Sequence, residues 1–506
     1  MTYNDLIIFI PSYSLEDLPV GMPDLQAASL LNAFAVAWHP VFLAGAQVLP
    51  RWHRAEEPPE VQERSLIFVP EACAKRLPRD WIEQVQNRGC VVLNELVDRE
   101  AMLHEALKPL EETGPLPEID PELVADFFAL GTCYLLMELL TRHMHYYNDL
   151  DEVYLRREAV SAAEAALARD AETAREHLRN GFESLTEGRE RFYPIESYLI
   201  DLCLLDDTAT PDAIRRQLDD SAPVNFIVAA RDLQQWQASA PELLEALDEA
   251  WKADAVDFAG GTWRDVVPML VPLESFLWQL RRGLGVFRNL FGRRPRVWGQ
   301  GQFGLSSHLP QILRRFGFEG ALHVLLGDGT YPESDYGAIR WQGCDGSVID
   351  AISRVPLAAD KASSYLDLAV RLAESMEHDQ SAAMAALFRR PDSETPWLDD
   401  LRRMQRYSPC VGRFVTLTEY LREADSSSRL SVFDASEYVS PTLQESGLAP
   451  TTNPISRHAD HFVRMQKLRT VVWQSGVMHA LKGERRRLHR RALEEMEWLY
   501  AGRLEA

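Results

Sequence analysis

Cysteine is scarce in this 506-residue chain. There are six, at positions 73, 90, 133, 203, 344 and 410, and none forms a Cys-x-x-Cys pair. A disulfide scaffold and a thiolate zinc module are excluded, and buried free thiols in a reducing compartment are the expectation. Basic charge is also short: 53 Lys and Arg face 76 Asp and Glu, for a formal net charge of -23. A surface of that sign repels phosphate backbones and anionic headgroups, so neither nucleic acid nor a membrane is an expected partner, while neutral sugars stay open. Long apolar runs are missing too. The longest stretch, FFALGTCYLLMELL, leads into charge and reads as a buried helix. The opening residues, MTYNDLIIFIPSYS, have no basic region and only a short apolar run, unlike a signal peptide. These absences together read as a cytoplasmic protein. No fixed-period repeat is found.

What is present is an alternation of short apolar runs and amphipathic stretches. LIIFIP (6–11), SLIFVP (65–70) and CVVLNEL (90–96) read as buried strands, with LQAASLLNAFAVAW and WIEQVQNRG as helices between them. From Pro121 to about residue 192 the pattern turns helical, with PELVADFFALGTCYLLMELLTRHMHYY as one helix and REAVSAAEAALARDAETAREHLRNGFESL as a second. The strand rhythm returns at SYLIDLCLL (197–205) and continues through PVNFIVAA (223–230), AVDFAGG (255–261), RVWGQ (296–300) and EGALHVLL (319–326). IRWQGCDGSVIDAISRV (339–355) reads as a hairpin turning at Asp345-Gly346. After Pro391 the chain is polar and irregular, and from Ile455 it reads as helix. The organisation is α/β: residues 1–120 open a β/α barrel, 121–192 are a helical insertion, 193–425 complete the barrel, and 455–506 form a helical bundle.

In a β/α barrel, ligands meet the residues just after each strand. Here these are Ser12 to Asp17, Arg231 and Asp232, Trp263 to Asp265, Gln300 and Gln302, and Asp328, with Trp341 and Asp345 in the later hairpin. DFAGGTWRD is the most informative: two glycines permit close backbone approach, the indole of Trp263 suits a sugar face, and Arg264 and Asp265 supply polar chemistry. The plainer reading is a glycine turn with a buried Trp and a salt bridge. His143 and His145, two apart on a helix, diverge and do not share an ion. His458 and His461 share a face but lack a third ligand, His308 opens a helix, and His378 ends one.

The segment from AVDFAGGTWRD through ESFLWQLRRGLGVFRNLFGRRPRVWGQGQFGLSSHLPQILRRFG to IRWQGCDGSVIDA resembles the catalytic domain of glycoside hydrolase family 38, the α-mannosidases. The shared features are Gly260-Gly261, Glu274-Ser275, Gly283, Trp298, Phe303-Gly304, Leu309-Pro310-Gln311, Gly317, and the hairpin residues Trp341, Gly343, Asp345, Gly346 and Ser347. The resemblance implies a seven-stranded β/α barrel, a following helical bundle and a C-terminal β domain that has no counterpart in this sequence. It also implies zinc. Yet where the family carries an aspartate that is both nucleophile and zinc ligand, this chain has Gly301. The first strand ends IPSYSLED, without the family's His-x-Asp pair, and the later paired-histidine motif has no counterpart. No metal ligands are therefore assigned, and no cofactor is expected.

The sequence supports a carbohydrate-active protein without the zinc-dependent chemistry, its pocket lined by Trp263, Arg264, Trp298, Gln300, Gln302 and Trp341. One alternative is a zinc-independent hydrolase using Asp265 and Asp345, with Glu16 or Asp17 as another partner. Carboxyl groups about 5 Å apart suit retention and about 6.5–9.5 Å suit inversion. A different alternative is an assembly protein that meets a second copy or a partner through the helices after Ile455.

Overall fold

The computed structural model describes residues 2–144, 150–191, 193–206, 208–219, 222–268, 271–327, 329–378, 382–424, 429–440 and 454–482. The chain divides into two compact units. The first comprises residues 1–199, 357–385 and 393–414, and the second residues 200–356, 386–392 and 415–506.

In the first unit, four strands, β1 (Asp5–Ile10), β2 (Arg51–Arg54), β3 (Ser65–Val69) and β4 (Val91–Asn94), pair in the order β2-β1-β3-β4, all parallel. β1 and β3 are buried along their whole length, which is why they read as unbroken apolar runs. The sequence places these strands in the same barrel as the later ones; in the structure they form a sheet of their own. Helices α1 (Asp24–Ala37), α2 (Pro40–Ala46), α3 (Trp81–Gln86) and α4 (Arg99–Glu111) connect and flank it. α5 (Pro121–His143) is apolar on every face because neighbours surround it: α1 and the helices Ser363–His378 and Pro396–Tyr407. It is long and apolar enough to cross a membrane, and 89% of that stretch is buried in the fold. Thr132 on α5 and Arg99 both bind the Asp400 carboxylate, the guanidinium in a bidentate fork at 3.0 and 2.8 Å.

The second helix of the insertion is in fact two, α6 (Glu152–Leu167) and α7 (Ala171–Glu190), packed as a hairpin. The break is local chemistry: Arg169 adopts a φ of 63°, and the Asp170 side chain caps α7 by accepting from the Thr173 N–H at 3.2 Å. The segment after Pro391, which reads as irregular, contains the helix Pro396–Tyr407, whose Trp397, Leu398, Leu401 and Met404 face the core.

In the second unit, β5 (Glu196–Leu205, from residue 200 onward), β6 (Val224–Val228), β7 (Val256–Gly260), β8 (Val297–Trp298) and β9 (Gly320–Leu322) lie side by side in chain order, all parallel. The hairpin β10 (Ala338–Gln342) and β11 (Val348–Ile352) follows, with β11 parallel to β9 and a short strand, Leu430–Val432, beside β10. The described pairings form an open path rather than a closed ring. The crossovers are α8 (Pro211–Arg216), α9 (Ala230–Ser239), α10 (Pro241–Lys252), α11 (Leu273–Phe291) and α12 (Leu309–Phe316). α9 is not legible in the sequence as a separate helix; Pro241 divides it from α10. Trp236, Leu243, Trp251, Phe287 and Phe291 pack on the apolar side chains of β5 to β7, and Phe276 and Leu280 belong to a second apolar cluster with the strand residues Trp298 and Trp341. On β5, Asp201 is fully buried and receives a bidentate pair from Arg389 at 2.9 and 2.8 Å. Beyond Ile455 the described residues form one helix, Pro454–Lys482, rather than a bundle; its Met465 packs on Trp278 of α11. All six cysteines are free thiols, and all but Cys344 are buried.

Candidate functional site

The parallel strands of the second unit end at Leu205, Val228, Gly260, Trp298 and Leu322, and the turn after β7 crosses that edge. Its glycines are forced. A Cβ on Gly260 would lie 2.6 Å from the Val228 carbonyl oxygen, and Gly261 has a φ of 118° with the Phe318 ring 2.6 Å from where its Cβ would be. α11 then locks the turn. Gly283 lies so close that a Cβ there would be 2.3 Å from the Gly261 carbonyl oxygen, while buried Gln279 accepts from Trp263 N–H through its main chain and from Arg264 N–H through its side chain, both at 3.0 Å. The first residues of α9 are tied to the same turn: Ala230 N–H donates to Thr262 at 3.0 Å and Arg231 N–H to Trp263 at 2.9 Å.

This scaffold delivers Asp265 to the glycine-rich bend after β8. One carboxylate oxygen accepts from the Gly301 N–H at 2.7 Å and the Gln302 N–H at 3.2 Å. Burial pushes the Asp265 pKa up to about 6, against the pull of those two donors, and the neighbouring Asp232 carboxylate adds to the rise. Gly301 leaves room for this arrangement. A Cβ there would meet a Leu204 methyl at 2.5 Å and the Asp265 oxygen at 3.3 Å. Gln300 braces the bend by donating to the Val266 carbonyl at 2.8 Å, with its own oxygen buried and without a hydrogen-bond partner among the described residues. The Gln302 side chain is exposed.

The other residues singled out in the sequence are dispersed. Trp263 is half-buried, with the Arg264 and Arg282 guanidinium carbons 5.1 and 4.9 Å from its ring centre and Trp278 edge-on at 5.7 Å. Trp298 and Trp341 are not surface platforms: they are 1% and 0% exposed and belong to one apolar cluster. Asp345 is exposed and bound within its own turn, accepting from Ser347 N–H at 3.0 Å and from its hydroxyl at 2.9 Å; these bonds lower its pKa. Because β11 runs parallel to β9, that turn sits at the edge where the strands begin, not where Asp265 lies. Glu16 and Asp17 belong to the first unit. Asp328 and His145 lie outside the described residues, as do the side chains of His458 and His461.

The sequence places Asp232 at this edge, whereas its pairing with Asp265 and the role of His323 are not legible there. Asp232 stands on the first turn of α9, just after β6, and its charge acts on Asp265. His323 follows β9, fully buried, with Ser353 Oγ at 2.8 Å from Nδ1 and Tyr438 Oη at 2.9 Å from Nε2. Burial pulls its pKa down to about 3, so it is a neutral part of an aromatic core in which Phe433 stacks on it at 5.0 Å. Among the described residues no three His, Cys, Asp or Glu side chains converge as a metal site would need. Gly301 offers no donor side chain at the strand end, so the residues present do not fit the zinc that family 38 implies.

Residues 208–383 match the family model described as the glycosyl hydrolases family 38 N-terminal domain. The matched stretch contains Asp232, the Gly260–Asp265 turn and the bend around Gly301. The chain is 26% identical over 174 residues to alpha-mannosidase G of Dictyostelium discoideum, covering 32% of this chain and 16% of that protein. The chain thus spans about a sixth of the length of this curated relative. Among solved structures, 4-alpha-glucanotransferase from Thermococcus litoralis is 13% identical with a TM-score of 0.37, covering 54% of this chain and 44% of that one. An alpha-mannosidase from Enterococcus faecalis is 13% identical with a TM-score of 0.36, covering 47% and 30%.

Proposed function

We propose that the mouth of the second unit binds a neutral carbohydrate, and that this family 38-like region works without the zinc-dependent nucleophile of the α-mannosidases. The observation that carries this reading is the Gly301–Asp265 pair. Where a nucleophile's side chain would begin there is only main chain, and both nearby N–H groups are spent on a carboxylate from the neighbouring strand end. Asp265, Asp232 and the exposed Gln302 supply acceptors and donors for sugar hydroxyls, and the rim of Trp263 supplies apolar edge. Elemental analysis of the purified chain, run beside titration calorimetry with mannose oligosaccharides, tests it. Sugar binding without metal, weakened about tenfold by Asp265→Asn, is the expected result. Stoichiometric zinc together with α-mannoside cleavage would overturn it.

A second reading is a zinc-independent hydrolase, and one observation favours it: Asp265 has a raised pKa and Asp232 as a charged neighbour, the environment of a general acid. The partner carboxylate is then Asp232 rather than Asp345. Turnover of any aryl glycoside by metal-free protein, abolished by Asp265→Asn and by Asp232→Asn, would establish it over simple binding. A cytoplasmic location and a partner contact through the helix Pro454–Lys482 complete the proposal.

A further inference from the structure

At the opposite end of the same strands lies a cavity of about 800 Å³, bordered by Val256 at the start of β7 and by Arg296 and Glu319 just before β8 and β9. It belongs wholly to the second unit. Its chemistry is unusual for so acidic a chain: the segment RNLFGRRPR, residues 288–296, holds four arginines and no acid. Two have structural work. Arg294 donates to the Phe316 and Gly317 carbonyls at 2.7 and 3.4 Å, closing the end of α12, and Arg296 pairs with Glu319 at 3.2 Å. The others do not. Arg293 lies 3.8 Å over the Trp251 ring, with Nε and Nη2 buried and making no hydrogen bond among the described residues. The carboxylates of Asp248, Asp254 and Asp257 act on this guanidinium without a hydrogen bond to those two nitrogens, which leaves its buried donors open to an oxygen from outside the chain. Arg288 and, from the helix Leu417–Glu423, Arg422 are exposed on the same cavity, and neither makes an ion pair among the described residues.

We propose that this cavity binds a hydroxylated phosphate ester through Arg288, Arg293 and Arg422. Planar guanidinium forks match the several equivalent oxygens of a phosphate, and three of them lining one cavity exceed what a single carboxylate would satisfy. The volume falls within the range of small-molecule sites and is too large for a bare phosphate ion. The cavity also carries acids, among them exposed Asp254 and Glu423, which suit the hydroxyls of the ligand's body rather than its phosphate.

Titration calorimetry of the full chain with glucose 6-phosphate, glucose and inorganic phosphate tests the proposal. Glucose 6-phosphate is expected to bind more tightly than either of the others, with an affinity that falls as salt is raised. Arg288→Ala and Arg422→Ala, both at exposed positions, are each expected to weaken it about tenfold. Circular dichroism checks that the variants fold. Neutral-sugar binding at the Asp265 mouth is expected to be the same in both variants, so failure of one site is not mistaken for failure of the other. No phosphate-dependent binding, or parental affinity in the double variant, would overturn the assignment. Inorganic phosphate binding as tightly as the ester would overturn its hydroxylated part.

Discussion

Asp265 is held by two main-chain donors and opposed by burial and a like charge, and the outcome favours the protonated acid. Unfolded, an aspartate titrates near 3.9; here the value is about 6. Between those pH values the folded chain holds the extra proton, so the group's contribution to stability is complete below about pH 4 and is lost as pH rises through 6. Asp265→Asn keeps an oxygen for Gly301 and Gln302 and removes the charge. It is expected to be more stable than the parent at pH 8, by about 1–2 kcal/mol once solvent screening is allowed for, with the gain vanishing near pH 4. Calorimetric melts at both pH values read this directly. Trp341 makes the contrasting case. Truncation to Ala is expected to destabilise by about 3–5 kcal/mol, by denaturant titration, because its ring is wholly enclosed. An aromatic residue in a strand can face core or ligand, and one sequence does not say which layer covers it; that is why Trp298 and Trp341 read as pocket residues.

At the scale of elements, the strands were legible because burial on both faces leaves unbroken apolar runs, and α10, α11 and α12 because their apolar faces recur at helical spacing. Three things depended on tertiary contacts and were not legible. The α6–α7 break rests on one left-handed residue and one cap. The separation of β1–β4 into their own sheet is a matter of pairing partners. The position of the Asp345 turn follows from the direction of β11 relative to β9, which no local pattern encodes. The site itself is organised by α11 pressing on the Gly261–Trp263 turn. Gly283→Ala puts a methyl against main-chain atoms at 2.3 to 2.7 Å that cannot move singly. A loss of about 3 kcal/mol or more is expected in urea melts, together with weaker ligand binding at the Asp265 mouth.

Across the whole molecule, charge sets the terms. With a formal net charge of -23, self-repulsion weakens the compact state, so raising salt from about 10 to 150 mM is expected to raise the melting temperature. A flat or falling response in scanning calorimetry would show that specific ion pairs dominate instead. The Arg389–Asp201 fork is a fully buried pair in the second unit. Arg389→Met removes the bidentate partner of a carboxylate at 0% exposure and is expected to cost about 3–5 kcal/mol, which Asp201→Leu in the same chain partly restores.

The bend at Gly301 also bears on how this sequence can change. Replacing Gly301 by aspartate would crowd the strand end. The new side chain would meet Leu204 and set a second negative charge against the Asp265 oxygen, 3.3 Å from its own Cβ. Asp265 and Leu204 would have to change first, and each such step alone disturbs a settled strand end. A carboxylate at position 301 therefore needs compensating changes at two other strand ends, so the three positions are expected to change together rather than one at a time.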